Sequence, residues 1–472
     1  MGYQEPKSRD YGVNNCDSCL EKQRIIDRLQ EENLRLKQKL HQNQRKIKEG
    51  FFNSSTSSAK IPVKSSALAE NQARRGGGQR GHAGVGRKVF GALEADEHRT
   101  AEVEVENCPT CECRLHQQSA NERAVYELEV ERVKKIYYEI ERKVCPKCQK
   151  ILSGKVKNAF PRVSMSNELV VEVAEQHYWL GRSLGQIARR FGLSYATVAE
   201  SLQRIGQKLK PNLEKLKELF RQSKVRHADE TGWRTDGGNG YAWYFGSAEM
   251  SLYLFRQTRS ASVVEEVFGK EQLSGVVVVD QYAGYNRVPC SMQYCYAHLL
   301  RKQEDLAKEF PKNREIQSYT SQMRKRLSQA MKLRNEGLSE SKYEQKAKRI
   351  KEQILKLSNR QAKHPAVRNW QDFYVEKADR LYQWCQSAKI PAENNYAERE
   401  VRKIVIARKI SYGSQSEAGA ETREIWTSVL ASLKKREANP KAKLVEALNK
   451  LSEDENFDIA EFLFGNSKSK PD

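Results

Sequence analysis

Val276-Val277-Val278-Val279-Asp280 is the stretch that decides the fold. Four β-branched residues with no polar alternate are the pattern of a strand buried on both faces. The acid at its end lies where such a strand meets solvent. Upstream, His227-Ala228-Asp229-Glu230-Thr231 places a second acid after a short strand-like run. Val225 to Trp233, Tyr241 to Ser247 and Leu252 to Gln257 read as three strands, with Asp236-Gly237-Gly238-Asn239-Gly240 as the first connecting turn. A helix from about Ser260 to Phe268 leads to the valine strand, and Tyr294 to Tyr296 supplies a fifth strand.

Three hairpin-linked strands, a helix and then a buried strand follow the order of an RNase H-like fold. In that order the first and fourth strands are neighbours, which puts Asp229 beside Asp280. Residues 303–390 are highly charged and helical in pattern, and they interrupt this domain. From Asn394-Asn395-Tyr396-Ala397-Glu398-Arg399 an amphipathic helix resumes, capped by Asn394 or Asn395, with Ala397, Val401, Ile404 and Val405 facing inward. Glu398 and Arg402 share another face one turn apart. After a glycine-bearing loop, helices at about 421–436 and 441–451 close the chain.

Three carboxylates on two strands and a helix can converge on two hard cations and drive phosphoryl transfer on a nucleic-acid backbone. Asp229 would bridge the ions, Asp280 would bind one and Glu398 the other. Each acid also has a plainer reading: a strand-end turn former for Asp229 and Asp280, an i,i+4 pair with Arg402 for Glu398, worth about 0.3–0.5 kcal/mol. Order and topology together favour catalysis. His298, in Cys295-Tyr296-Ala297-His298, either touches a scissile phosphate or is a hydrogen-bonded structural residue.

The bulk numbers agree with a polyanionic partner. The 472-residue chain has room for two to four domains, and its formal net charge is +22. No stretch approaches the roughly 18 apolar residues of a membrane span, and no apolar signal segment opens the chain. A cytoplasmic, reducing setting follows, in which the ten cysteines suggest metal before disulfides.

Residues 20–49 carry a heptad seam of Ile26, Asn33, Leu40 and Ile47 with Leu29 and Leu36, a pattern of a parallel dimeric coiled coil or of a solvated helix packed on the body. Cys16-x-x-Cys19 precedes it as a metal pair or a free thiol pair. Arg74, Arg75 and Arg80 lie in a Gly-rich run that suits a DNA-tracking arm or a plain linker. Cys108-x-x-Cys111 and Cys145-x-x-Cys148, 33 residues apart and separated by two alternating strands, have the spacing of a zinc ribbon holding one structural ion. Cys113 is a spare that could replace Cys111. Residues 183–198 have helix-turn-helix spacing: Ala188 where the helices cross, Gly192 at the turn, Ser194 as cap and Val198 as anchor. Exposed Tyr195, Thr197 and Arg204 would then meet DNA, unless the pair is a helical hairpin that only packs.

These residues resemble the bacterial transposases of the insertion sequence 66 type. The likeness rests on the N-terminal zipper, Gly-Gly-Gln-Arg-Gly-His at 77–82, the paired knuckles, Asp229-Glu230-Thr231, Asp280-x-Tyr282-Ala283-Gly284-Tyr285, Cys295-x-Ala297-His298 and Asn394-Asn395-x-Ala397-Glu398-Arg399. The resemblance implies a D-D-E transposase with an insertion before the glutamate and assigns Asp229, Asp280 and Glu398 as catalytic acids. It implies magnesium or manganese, two ions per site, and a setting at the bacterial nucleoid. Where the family usually has Arg two places after the His, this chain has Leu300. Arg301 and Lys302 follow, and with Arg399 and Arg402 they are the expected phosphate contacts.

The expected architecture is therefore a multidomain α+β chain. It comprises a C-x-x-C and leucine-zipper coiled coil (1–50), a flexible basic linker (51–99), a zinc-binding module (100–155) and a helix-turn-helix region (160–222). An RNase H-like α/β core (223–302 and 391–415) follows with its helical insertion (303–390), then C-terminal helices and tail (416–472). The expected function is cleavage of 3′ ends at terminal inverted repeats and strand transfer into target DNA, as a homodimer or larger assembly, with element-encoded accessory proteins as further partners. The competing classes are an inactive or co-opted DNA-binding regulator and a metal-dependent nuclease that does not join strands.

Overall fold

The computed structural model describes Ile25, Arg28, Leu29 and Glu32, residues 90–129 and residues 132–465. The four N-terminal residues are helical and exposed. The remaining coiled-coil positions, Cys16, Cys19, Arg74, Arg75 and Arg80 lie outside the described residues.

The described chain is mixed α+β, with two mixed sheets and 14 α-helices. The first sheet is built on a long hairpin, β2 (His116–Glu129) and β3 (Arg132–Val144), paired antiparallel. The other edge of β3 is shared end to end by parallel β1 (Glu97–Ala101) and antiparallel β4 (Ile151–Ser153). Residues 51–99 read as a linker in the sequence. Instead β1 starts at Glu97, where Glu97, Arg99 and Thr100 pair with the hairpin. Alternation buries Val125, Ile136 and Tyr138 against Ala101, Val156 and Ala159.

Helices follow: α1 (Asn167–Ala174), continued by a π turn over Glu175–Trp179, α2 (Leu184–Phe191), α3 (Tyr195–Leu209) and α4 (Pro211–Gln222). Gly192 ends α2 in the left-handed conformation, φ 64°, which glycine adopts without steric cost, and Ser194 caps α3 by accepting from Thr197 N. Ile187, Ala188, Val198 and Leu202 are buried in the common core.

The second sheet runs β7–β6–β5–β8–β9. Its strands are β5 (Val225–Thr235), β6 (Gly238–Gly246), β7 (Ser251–Arg256), β8 (Val276–Val279) and β9 (Ser291–Tyr294), with α5 (Ala261–Phe268) between β7 and β8. β5 and β6 close over Asp236-Gly237, both at positive φ, the two-residue turn that matches strand twist. β5 and β8 are parallel, as are β8 and β9. All four valines of β8 are buried. The fifth strand lies earlier than Tyr294 to Tyr296: it ends at Tyr294, and Cys295 is the N-cap of α6 (Tyr296–Glu309).

Next come α7 (Arg314–Leu333), α8 (Glu340–Ser358), α9 (Pro365–Glu376) and the short α10 (Ala378–Leu381). They join the core through Tyr296, whose hydroxyl donates to Leu381 O and accepts from Trp384 Nε1. Then come α11 (Asn395–Ser411), α12 (Glu417–Arg436), α13 (Pro440–Glu453) and α14 (Ile459–Phe464). The closing helices are structural parts of the body. Ser428 and Ser432 of α12 bond the backbone of Tyr253 and Ser251, and Glu424 accepts from Phe255 N. Alternate backbone groups of the edge strand β7 are thereby satisfied and shielded from stray pairing. No helix among the described residues is long and apolar enough to cross a membrane.

Candidate active site

The parallel register pairs Val225 with Val276, Arg226 with Val277 and His227 with Val278. Two residues further along each chain, Asp229 and Asp280 fall at the same level. Asp229 Oδ1 accepts from Glu230 N at 3.0 Å and Asp280 Oδ1 from Tyr282 N at 2.8 Å, so each carboxylate is fixed by its own turn of backbone. Burial, then the neighbouring Glu230, Asp280 and Glu398 charges, push the Asp229 carboxyl up to about 8. A carboxyl kept from ionising by burial, and further by like charges, is stabilised in its charged form when a cation binds beside it.

Glu398 is delivered by the first turn of α11. The helix is locked to β5 by Asn394, which is 1% exposed. Asn394 Nδ2 donates to Ala228 O at 2.8 Å, and its Oδ1 accepts from His227 Nδ1 at 2.9 Å. Asn394 is thus at the N-cap position, but its side chain makes no capping bond. It fastens the Glu398 helix to the Asp229 strand instead. Ala397, Val401 and Ile404 are buried as expected, and Val405 is half-buried.

Glu398 does not pair with Arg402. Its Oε1 meets Arg301 Nη2 at 3.0 Å and lies 3.7 Å from His298 Nδ1. The facing helix α6 therefore wins over the i,i+4 neighbour. Burial and the nearby Arg301 hold His298 below its usual range, and its Nδ1 is buried without a hydrogen-bond partner. Donor atoms of Cys295, His298 and Glu398 all lie within 4.8 Å of one another. Leu300 packs against the core, while Arg301 and Lys302 are exposed and Lys302 bonds the side chain of Gln281. Arg399 and Arg402 are also exposed.

Glu230 neighbours these acids, although the sequence pattern gives it no role. Its side chain is 2% exposed, accepts from Tyr285 Oη at 2.6 Å and pairs with Arg259, which stacks 4.0 Å over the Tyr282 ring. Its position beside Asp229 was the available signal. The Tyr282-Ala283-Gly284-Tyr285 turn after Asp280 is thereby tied to the strand carrying Asp229.

In the first sheet, Cys108, Cys111, Cys145 and Cys148 form one cluster, with Sγ–Sγ separations of 3.5 Å (Cys108–Cys148) and 3.2 Å (Cys111–Cys145). Backbone N–H groups within each knuckle, led by Thr110 at Cys108 and Cys148 at Cys145, lower those two thiols toward the thiolate. Four sulfurs so disposed fit a tetrahedral zinc. Cys113 lies outside the cluster; its carbonyl accepts from Cys108 N.

Tyr195 and Arg204 on α3 are exposed. Thr197 is half-buried, and its hydroxyl shares a hydrogen bond with Ser194 Oγ at 2.9 Å.

The sequence profile of the transposase IS66 family matches residues 158–422. The chain belongs to this family. Membership implies a DNA-cleaving and DNA-transferring enzyme that binds DNA and uses divalent metal. No curated protein matches the chain. Within this transposase the matched span contains Asp229, Asp280 and Glu398, and the four-cysteine cluster precedes it.

Proposed function

We propose that this transposase cleaves 3′ ends at the terminal repeats of its element and joins them to target DNA at a D-D-E site of Asp229, Asp280 and Glu398. The observation that carries this is the Asp229 carboxyl, buried beside two other acids on adjoining elements and pushed up to about 8. The strand order β7–β6–β5–β8–β9 supports an RNase H-like core with α7–α10 as its insertion. Asp229, Asp280 and Glu398 would hold a pair of magnesium or manganese ions, with Asp229 shared. When bound, such ions activate the attacking oxygen and stabilise the leaving 3′ oxygen. The protein's own part is positional. Asn394 sets Glu398 against β5, Glu230 with Tyr285 and Arg259 sets the Asp280 turn, and Arg301, Lys302 and His298 offer positive or hydrogen-bonding groups to phosphate. In the same reading, the four-cysteine cluster holds structural zinc. The α2–α3 pair, with Tyr195 and Arg204, and the basic arm at Arg74, Arg75 and Arg80 hold the ends in a dimeric or larger complex, with Arg399 and Arg402 beside the acids.

The test is end cleavage and strand transfer with magnesium. Glu398→Gln should lower both by about 10²–10³-fold, the scale lost when a charge-stabilising group is removed. Retention of both activities would refute the assignment. Cleavage without joining would instead make the enzyme a nuclease.

A further inference from the structure

We propose that a cavity of about 400 Å³ beside α3 holds one nucleotide of a DNA strand, its phosphate on Arg423 and Arg182 and its base against Tyr195. The cavity lies between the π turn after α1, the start of α2, α3, the end of α11 and the start of α12. This rests on the DNA-binding reading above and adds a site remote from the three acids.

The first observation is a buried charge without a counter-ion. Arg423 is 5% exposed and lines the cavity, yet among the described residues no carboxylate pairs with it. Its hydrogen-bond partner is His177 Nε2 at 2.9 Å. The other ring nitrogen, Nδ1, faces Arg182 O at 2.8 Å. A carbonyl only accepts, so Nδ1 carries the hydrogen and Nε2 accepts from Arg423. His177 is then neutral and takes no charge from the arginine. The guanidinium is also set over the rings of Tyr178 and Trp233, at 5.1 and 5.2 Å, which orients it without neutralising it. Burying an unpaired cation is unfavourable unless a partner supplies the missing charge.

The second observation is the lining. No Asp or Glu is among the lining residues. Arg182 also lines the cavity, an exposed residue whose Nη1 donates to Gln176 Oε1 at 3.2 Å and whose other guanidinium nitrogens have no side-chain partner among the described residues. Ser183 and Ser416, the N-caps of α2 and α12, both line the cavity, so the positive ends of two helices open on it. The nearest acid of α12, Glu417, is turned away to Gln257 Nε2 at 2.7 Å. The volume falls within the roughly 300–1,000 Å³ of small-ligand sites and exceeds what a bare phosphate needs. Tyr195, 58% exposed, supplies an aromatic face at the rim on which a base can stack. Positive charge inside, helix ends beside it and a ring at the rim are the elements that take a phosphorylated base.

The same chemistry is offered by a free nucleotide, so the test has two arms. Full-length protein, without added divalent metal, is titrated with a labelled mixed-sequence single strand and, separately, with deoxyadenosine monophosphate. Tyr195→Ala changes an exposed side chain and should melt like the parent, Arg182→Gln gives up one bond to Gln176 and should melt slightly lower but fold, and Arg423→Met is the buried counterpart. The expected result is a loss of strand affinity of about tenfold in each exposed variant. Arg182→Gln should also flatten the dependence of log K on log salt by about 0.7, the share of one single-strand phosphate. Unchanged strand binding in both folded surface variants overturns the site. Variant-sensitive binding of the mononucleotide with strand binding unaffected overturns the DNA-strand assignment. Because the assay uses no catalytic metal, either failure leaves the D-D-E reading standing.

Discussion

The four-cysteine cluster and the proposed site of Asp229, Asp280 and Glu398 would both hold metal, and they are assembled in opposite ways. The four sulfurs come from two tight turns at the ends of one small sheet, and each turn aims backbone N–H groups at its own sulfur. The three acids come from residues 229, 280 and 398: backbone N–H groups one and two residues on hold Asp229 and Asp280, whereas Glu398 is set by long-range contacts, Asn394 to β5 and Arg301 from α6. A soft-donor site can be written into local spacing, because two ligands per knuckle fix most of the geometry. A hard-donor site must remain unsatisfied until cations arrive, so its order has to come from around it.

That contrast is open to breakage, and the largest effect is expected at the knuckles. Cys145→Ser should remove zinc, taking the ion count of the ribbon from about one per chain to none. Structural zinc in small modules contributes on the order of 10 kcal/mol. The β1–β4 sheet should therefore become protease-sensitive while the rest, which has its own core, stays folded. Metal analysis and limited proteolysis after residue 153 check this. Intact sheet structure without zinc would show that its packing of Val125, Ile136 and Tyr138 suffices alone.

At the acid site the fastening residue should matter almost as much as an acid. Asn394→Ala removes two hydrogen bonds and leaves Ala228 O and His227 Nδ1 buried, at about 1–3 kcal/mol for each orphaned group. Melting should fall by that order, and cleavage should fall further than stability explains, because Glu398 loses its register with Asp229. Asn394 is a positioning residue, so the discriminating readout is the magnesium dependence: half-saturation should rise. A melting change with unaltered magnesium dependence would make it purely structural.

The same contrast explains what was legible in the sequence. The four-valine run, the C-x-x-C spacing and the Gly192 and Ser194 signals are local, and the corresponding strand, knuckles and helix ends stand where those residues are. The fastenings are not local. Asn394 reaches β5 across 166 residues, Ser432 reaches Ser251 across 181, and Arg301 reaches Glu398 across 97. No periodicity encodes a bond over such a span. The cap preference of Asn394 gives the right position but the wrong bond, because its Oδ1, the acceptor a cap would use, takes the hydrogen of His227 Nδ1 instead. The displaced fifth strand has the same cause: Cys295 follows Tyr294 smoothly in hydrophobicity, but its neighbours turn into α6 to meet α11.

The smallest expected effect is also the sharpest probe of how the acids wait for metal. Glu398 Oε1 is held by Arg301 at 3.0 Å, on a pair whose side chains are 53% and 30% exposed. An exposed pair of this kind contributes only about 0.2–1 kcal/mol. A cation binding to Glu398 must displace it, so Arg301→Gln should lower the magnesium concentration at half-maximal cleavage by up to about fivefold, the equivalent of 1 kcal/mol. Binding of DNA should weaken at the same time if the displaced guanidinium turns to phosphate. The two effects have opposite signs, and titrating magnesium at saturating DNA separates them. If half-saturation is unchanged, the arginine is not competing with the cation, and the acid site resembles the knuckles more than its open carboxylates suggest: preset rather than held in reserve.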